Sequence, residues 1–263
     1  MIVISIINFK GGVGKTVSAI NMAHVLADVH GKRVLLIDCD KQGNVSKFFG
    51  LYAECDHTLA SVLTSKNPDV IPAICKTKYA NLDIITADMR LLNANREILL
   101  DVTRAQQNRL TKALMHVNDQ YDFCIIDCAP DINMSVINAL VASDDILVPI
   151  KVDKFTFDGL AQLREQIEDL KEFNPKLRLA GCFITMETRN NVNAEGVKWL
   201  EDETDYPVFR TGIRKTVKID ETTFTGKPIL EYAKNCTAAV DYVKLVEEYL
   251  QEKVPLCGNL MLR

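Results

Sequence analysis

At 263 residues, 48% of them hydrophobic, the chain is long enough to bury one substantial core. Its 31 lysines and arginines against 35 acids leave a net charge of −4, which argues against a protein that coats nucleic acid over its whole surface but allows a local basic patch. No apolar stretch of about eighteen residues is present to span a bilayer, and the apolar N-terminus carries no basic leader or cleavage site, so a cytoplasmic protein is expected.

The chain opens on Ile2-Val3-Ile4-Ser5-Ile6-Ile7, a β-branched run that predicts a buried parallel strand. The segment Asn8 to Val17 (NFKGGVGKTV) follows. A common phosphate-binding loop reads G-x-x-x-x-G-K-[ST]: backbone N–H groups wrap the phosphates, the lysine reaches the terminal ones and the hydroxyl holds Mg²⁺. Gly14-Lys15-Thr16 supplies the end of that pattern, but Phe9 stands where the first glycine belongs. Glycine is shifted inward to Gly11 and Gly12, and a second lysine, Lys10, precedes them. A helix is predicted next, because Ala19, Ala23, Leu26 and Ala27 recur at helical spacing and Gly31 is placed to stop it. Strand, glycine loop and helix N-terminus together aim amide donors and a positive dipole end at an anion. Gly11, Gly12, Val13, Gly14, Lys15, Thr16 and Val17 are therefore the expected nucleotide-holding residues.

Further strands are predicted at Arg33 to Ile37, Leu82 to Thr86, Phe123 to Ile126, Ile146 to Ile150 and Leu179 to Ile184, with a short piece near Val208. Their alternation with helical patterns predicts βαβ units in a doubly wound, mostly parallel sheet with helices on both faces. No repeat, low-complexity tract or flexible linker interrupts it, so one domain spanning 1–263 is expected, with no room ahead of the first strand for an N-terminal helix-turn-helix domain.

Ligands of such sheets bind at the carboxyl ends of the strands. Three of those ends carry acids: Asp38-Cys39-Asp40, Asp127 and Asp153. Asp127 closes the apolar run Cys124-Ile125-Ile126 and suits a carboxylate that helps Thr16 hold Mg²⁺, a strand-end turn or N-cap being the alternative. Asp38 and Asp40 point the same way if strand conformation persists through residue 40. Asp40 is then the candidate to orient the water that attacks the γ-phosphate, and Asp38 to support the magnesium shell, although either can instead cap the following turn. The eight cysteines include no C-x-x-C pair and several sit in apolar runs, which predicts buried thiols in a reducing compartment rather than metal ligands.

Lys10 to Thr16 (KGGVGKT), Asp38 to Asn44 (DCDKQGN) and Asp127 to Pro130 (DCAP) resemble the deviant Walker A ATPases, specifically the ParA/Soj-like partition ATPases. Val148-Pro149-Ile150, Asp158-Gly159-Leu160, Ile184-Thr185-Met186 and Thr225-Gly226-Lys227-Pro228-Ile229 extend the resemblance over nearly the whole chain. It implies an ATP-dependent, Mg²⁺-requiring sandwich homodimer in which Lys10 contacts the nucleotide of the other subunit and Lys15 that of its own. It also implies non-specific DNA binding by the dimer, nucleoid association, and release by hydrolysis that a ParB-like centromere-binding partner stimulates. Phe209 to Lys218 holds Arg210, Arg214, Lys215 and Lys218 without an acid and occupies the place of the family's DNA-contacting stretch. Arg214, Lys215 and Lys218 are the expected backbone contacts, with Lys227 and Lys234 as further candidates. Met186 and Arg210 to Ile213 fall where the family contacts the base.

Lys41 stands where the family usually has proline, as does Ala129. A lysine is thereby set beside Asp40, the candidate for orienting water. The nearest rival resemblances are an ATPase that positions a non-DNA cargo and a MinD-like membrane-surface ATPase. The second wants a basic amphipathic C-terminal helix, whereas Val243 to Glu252 is acid-rich and the tail after it carries Pro255 and Gly258. No membrane partner is expected. An iron–sulfur reductase wants paired cysteines and a tyrosine-kinase relative a tyrosine-rich tail, and the sequence offers neither.

Overall fold

The elements follow in chain order as β1 (Ile2–Ile6), α1 (Lys15–Asp28), β2 (Val34–Cys39), α2 (Asn44–Phe48), α3 (Leu59–Thr64), β3 (Ile74–Lys76), β4 (Leu82–Ile85), α4 (Arg90–Leu100), α5 (Arg109–Leu114) and β5 (Phe123–Cys128). The second half continues with α6 (Met134–Ala142), β6 (Asp145–Ile150), α7 (Thr156–Leu170), β7 (Arg178–Ile184), α8 (Asn191–Asp202), α9 (Val217–Thr225), α10 (Ile229–Tyr232) and α11 (Thr237–Lys253). The structure, a computed structural model, describes residues 1–153, 156–188, 190–202 and 204–253. The tail after residue 253, and with it the expectation about Pro255 and Gly258, lies outside the described residues, as does the side chain of Asp158.

All seven strands join one sheet in the order β3-β4-β2-β5-β1-β6-β7. Every pairing is parallel except that of β3 with β4, which is antiparallel and lies at the edge. The doubly wound parallel sheet is thus as the alternating pattern predicts. The three residues of β3 carry too little periodicity to be read from sequence. Near Val208 the chain makes a single bridge to Cys182 rather than a strand.

Strand parity divides the core. Leu35, Ile37 and Cys39 of β2, with Cys124, Ile126 and Cys128 of β5, face the layer built from α3, α4, α5, α6 and α7. Val34 and Leu36, with Phe123 and Ile125, face α1 and α11. Each such aliphatic side chain contributes about 1.5–3 kcal/mol on leaving water, so the alternation fixes which face every strand turns to which helices. Asp38 and Asp127 occupy the next positions of the series facing α1, and the parallel register sets them directly side by side. On that face α11 packs along α1, with Tyr242 hydroxyl 3.1 Å from Ser18 Oγ. Tyr249, buried in the same helix, donates to Asp145 at 2.6 Å.

The cysteines divide. Cys39, Cys124, Cys128 and Cys182 are buried free thiols and Cys236 is a half-buried one, as expected, whereas Cys55 and Cys75 are joined to each other, against the expectation of thiols throughout. The pairing brings together residues 20 apart in sequence, one between α2 and α3 and the other on the edge strand β3.

Candidate nucleotide site at the carboxyl ends of β1, β2 and β5

The loop between β1 and α1 is fastened at both ends. Asn8 Nδ2 donates to the Pro149 carbonyl at 2.9 Å, and Asn8 Oδ1 accepts from Lys10 N–H at 2.9 Å. Thr185 Oγ1 donates to the Val13 carbonyl at 2.8 Å. Gly14, at φ 89°, turns the chain into α1 in the left-handed region that glycine enters without a Cβ penalty. A Cβ at Gly11 or Gly12 would meet nothing within 4 Å, so the loop borders open space, as a cradle for a bulky anion must.

That space is a cavity of about 390 Å³. Gly11, Gly12, Gly14, Lys15, Thr16 and Val17 line it, together with Asp40 and Met186. Val13 is fully buried and serves the cradle through its backbone, tied by Thr185. Asn44 also lines the cavity, as do Cys128 and Pro130. None of the three is singled out for nucleotide contact by type or spacing, although each sits inside a motif that the resemblance highlights.

Lys15 is buried, and desolvation lowers its pKa below the ordinary lysine value, with Asp127 opposing that shift. Its Nζ donates to the Lys10 carbonyl at 2.9 Å. Thr16 Oγ1 donates to Asp127 Oδ2 at 2.7 Å. Asp127 Oδ1 is buried with no hydrogen-bond partner among the described residues, which is rare for a carboxylate oxygen and leaves an acceptor that a cation can use. Burial, and then the neighbouring Asp38, hold Asp127 well above the usual carboxylate range. A divalent cation therefore fits here: Asp127 and Thr16 supply hard oxygen donors beside the glycine loop.

Asp38 is placed differently from Asp127. Its Oδ2 accepts from Ser46 N–H at 2.9 Å and Ser46 Oγ at 2.7 Å, and its Oδ1 accepts from Asp40 N–H at 3.2 Å. Burial pushes its pKa up to about 7 in spite of those bonds. Both oxygens already have protein partners, so the carboxylate braces the turn after β2. Asp40 lies one residue past the strand and is half-buried, so the two carboxylates do not share one extended strand. Asp40 Oδ1 accepts from Gln42 N–H at 2.9 Å, and its side chain borders the cavity.

Lys10 is absent from the cavity wall. Its ammonium is ion-paired with Asp153 of the same chain, and both side chains are about one-third exposed. Asp153 is one of the strand-end acids visible in the sequence, but the sequence gives it no partner.

The basic segment divides three ways. Arg214 grips Asp241 through Nη2 at 2.6 Å and Nε at 2.9 Å, and Arg214 N–H also donates to that carboxylate at 3.0 Å. Lys218 pairs with Glu221 at 2.8 Å on α9. Lys215 is exposed and makes no ion pair among the described residues.

The AAA_31 family, described as an AAA domain, matches residues 1–179. The chain is 37% identical to the chromosome partitioning protein ParA of Caulobacter vibrioides over 256 residues, covering 95% of this chain and 94% of that one. It is 36% identical over 252 residues to the sporulation initiation inhibitor protein Soj of Bacillus subtilis, covering 94% and 97%. Among solved structures, the ATP complex of a McdA variant from Cyanothece superposes with a TM-score of 0.84 at 20% identity over 99% of both chains, a likeness of fold. A glycine loop with two lysines, a carboxylate pair in register beneath it and this extent of identity are one consistent description: the chain belongs to the ParA/Soj family of partition ATPases.

Proposed function

We propose that the protein hydrolyses ATP to ADP and phosphate and uses the cycle to partition DNA. The observation that carries this reading is the orphaned Asp127 Oδ1, on a buried carboxylate whose other oxygen accepts from the Thr16 hydroxyl beneath the glycine cradle. Asp127 and Thr16 would hold Mg²⁺, which when bound neutralises phosphate charge. Backbone amides of Gly11 to Thr16 and the Lys15 ammonium bind and orient the phosphates. Asp40, at the cavity edge, holds a proton of the attacking water and aligns its oxygen with the γ-phosphorus, and ADP departs opposite. Met186 also lines the cavity, and its assignment to the base rests on analogy with the family.

Lys10 acts across a homodimer. A cation that approaches the phosphates only from a second subunit makes dimerisation part of transition-state stabilisation, so turnover times the life of the dimer. One ATPase domain suffices for this cycle. The dimer binds DNA without sequence preference through a surface that includes Lys215 and Lys218, and a ParB-like centromere-binding protein stimulates its release. The protein is cytoplasmic and associated with the nucleoid through that DNA surface; no helix among the described residues is long and apolar enough to cross a membrane.

Titration with a fluorescent ATP analogue, with and without Mg²⁺, coupled to light scattering for mass, tests the reading. Mg²⁺-dependent binding and an ATP-dependent doubling of mass are expected. A protein that binds the analogue equally well after Asp127→Ala and Lys15→Ala substitution would overturn it.

A further inference from the structure

Helices α4 and α6 pack side by side, with Ser135 N–H donating to Asn95 Oδ1 at 2.6 Å. They leave between them a groove of about 360 Å³, separate from the nucleotide cavity. Leu92, Leu99, Ile132 and Ile137 give the groove an apolar lining. The apolar surface continues past it along the end of α4: Leu99 is 62% exposed, Leu100 76% and Val102 89%. Single exposed leucines need no explanation, but a run of them beside a concave site marks a contact surface. Because that run extends beyond the groove itself, it suits an extended apolar face rather than a compact small molecule. A helix presenting apolar residues at i, i+3, i+4 and i+7 offers such a face.

The rim sets the charge of the occupant. Lys41 and Arg96 stand on it without an ion pair among the described residues. The same lining holds one carboxylate, Asp131, whose Oδ2 accepts from Asn133 Nδ2 at 3.2 Å. Two uncompensated cations against one acid favour a partner with carboxylates flanking its apolar stripe.

The groove also abuts the nucleotide site at two points of the chain. Asp40 lines the nucleotide cavity and its neighbour Lys41 lines the groove, and Pro130 and Asp131 are divided in the same way. Lys41, the position at which this chain departs from the family's proline, thereby gains a place in the structure.

We propose that the α4/α6 groove docks an amphipathic helix of a partner protein, apolar on one face and flanked by carboxylates, and that docking alters ATP turnover through the Asp40–Lys41 and Pro130–Asp131 junctions. The effect on turnover rests on the ATPase reading above, while the docking itself does not.

The test pans a displayed library of helical peptides of about sixteen residues against the intact protein, with Leu99→Asp and Arg96→Glu proteins as counter-targets. Both side chains are exposed, and thermal melts are run first to check that the variants fold. Enriched peptides are expected to show apolar helical spacing with Asp or Glu on its flanks. They should weaken about tenfold or more on Leu99→Asp and lose their preference for acids on Arg96→Glu. Failure to enrich binders, binders indifferent to Leu99→Asp, or binders with basic flanks overturn the docking. If Leu99→Asp instead abolishes self-association, the groove is a contact between copies and the partner proposal falls. A saturating peptide that binds as described yet leaves turnover unchanged in a protein that hydrolyses ATP overturns the coupling. Should the protein not hydrolyse ATP at all, the ATPase reading has failed, the coupling falls with it, and docking is judged on binding alone.

Discussion

Lys10 is ion-paired with Asp153 of its own chain, so the cation assigned to a neighbouring nucleotide must leave an intramolecular partner before it can act. With both side chains about one-third exposed, the pair contributes no more than about 1 kcal/mol. Because both Lys10 side chains of a dimer must leave such a pair, Asp153→Asn is expected to shift ATP-dependent dimerisation to a protein concentration lower by about thirtyfold or less, read by analytical ultracentrifugation. Lys10→Ala should lose turnover by about a hundredfold or more while keeping nucleotide binding. Wild-type turnover and mass in Lys10→Ala would leave the proposed dimer mechanism without its central part.

Asp127 and Asp40 are predicted to fail differently. Asp127→Ala removes the orphaned oxygen and the acceptor of Thr16, so Mg²⁺ no longer enhances nucleotide binding. Asp40→Ala leaves the cradle intact and should lower turnover by about a hundredfold with nucleotide affinity nearly unchanged. Isothermal titration and steady-state phosphate release separate the two, and identical phenotypes would contradict the assignment of roles.

The buried acid pair makes stability depend on pH. Asp38 is pushed up to about 7, and Asp127 is raised well above its ordinary value. A carboxyl with a higher pKa folded than unfolded binds its proton more tightly in the folded state, so stability is greatest at low pH and falls as pH rises. The decline starts near the unfolded carboxylate value of about 4, and the share due to Asp38 is complete above about 7. The melting temperature of nucleotide-free protein should fall across that window, and Mg²⁺ with ATP should reverse the fall by favouring the ionised pair. Asp127→Asn relieves the mutual repulsion and flattens the slope. A melting temperature that climbs steadily over the same range, once other groups are matched by the Asn variant, would refute the linkage.

The basic segment is predicted to be graded. Lys215→Glu should weaken binding to any duplex sequence and reduce the salt slope by about one. Lys218→Glu should do less, since that ammonium is shared with Glu221. Arg214→Ala should act on stability, because it leaves Asp241, only 4% exposed, without its main cation, at a cost of about 1–3 kcal/mol. Equal losses of DNA affinity in all three, with unaltered melting temperatures, would show that the ion pairs do not rank them.

The sequence by itself determined the βαβ order, the position of the cradle and the identity of the acids at the strand ends. These follow from local rules: β-branched runs, helical spacing and glycine density act over a few residues and need no partner. It did not determine the edge strand β3, which is too short for periodicity, or the Cys55–Cys75 pairing, which joins distant segments. Nor did it show how differently Asp38 and Asp127 are hydrogen-bonded. The two look alike as strand-end aspartates, yet Ser46 and Asp40 satisfy one carboxylate while the other keeps a bare buried oxygen. The same holds for charge, since the sequence shows four cations between Phe209 and Lys218, while folding brings Asp241 and Glu221 against two of them. Which oxygen is left unsatisfied, and which ammonium is left unpaired, is settled by groups arriving from other elements, and only tertiary packing sets those distances.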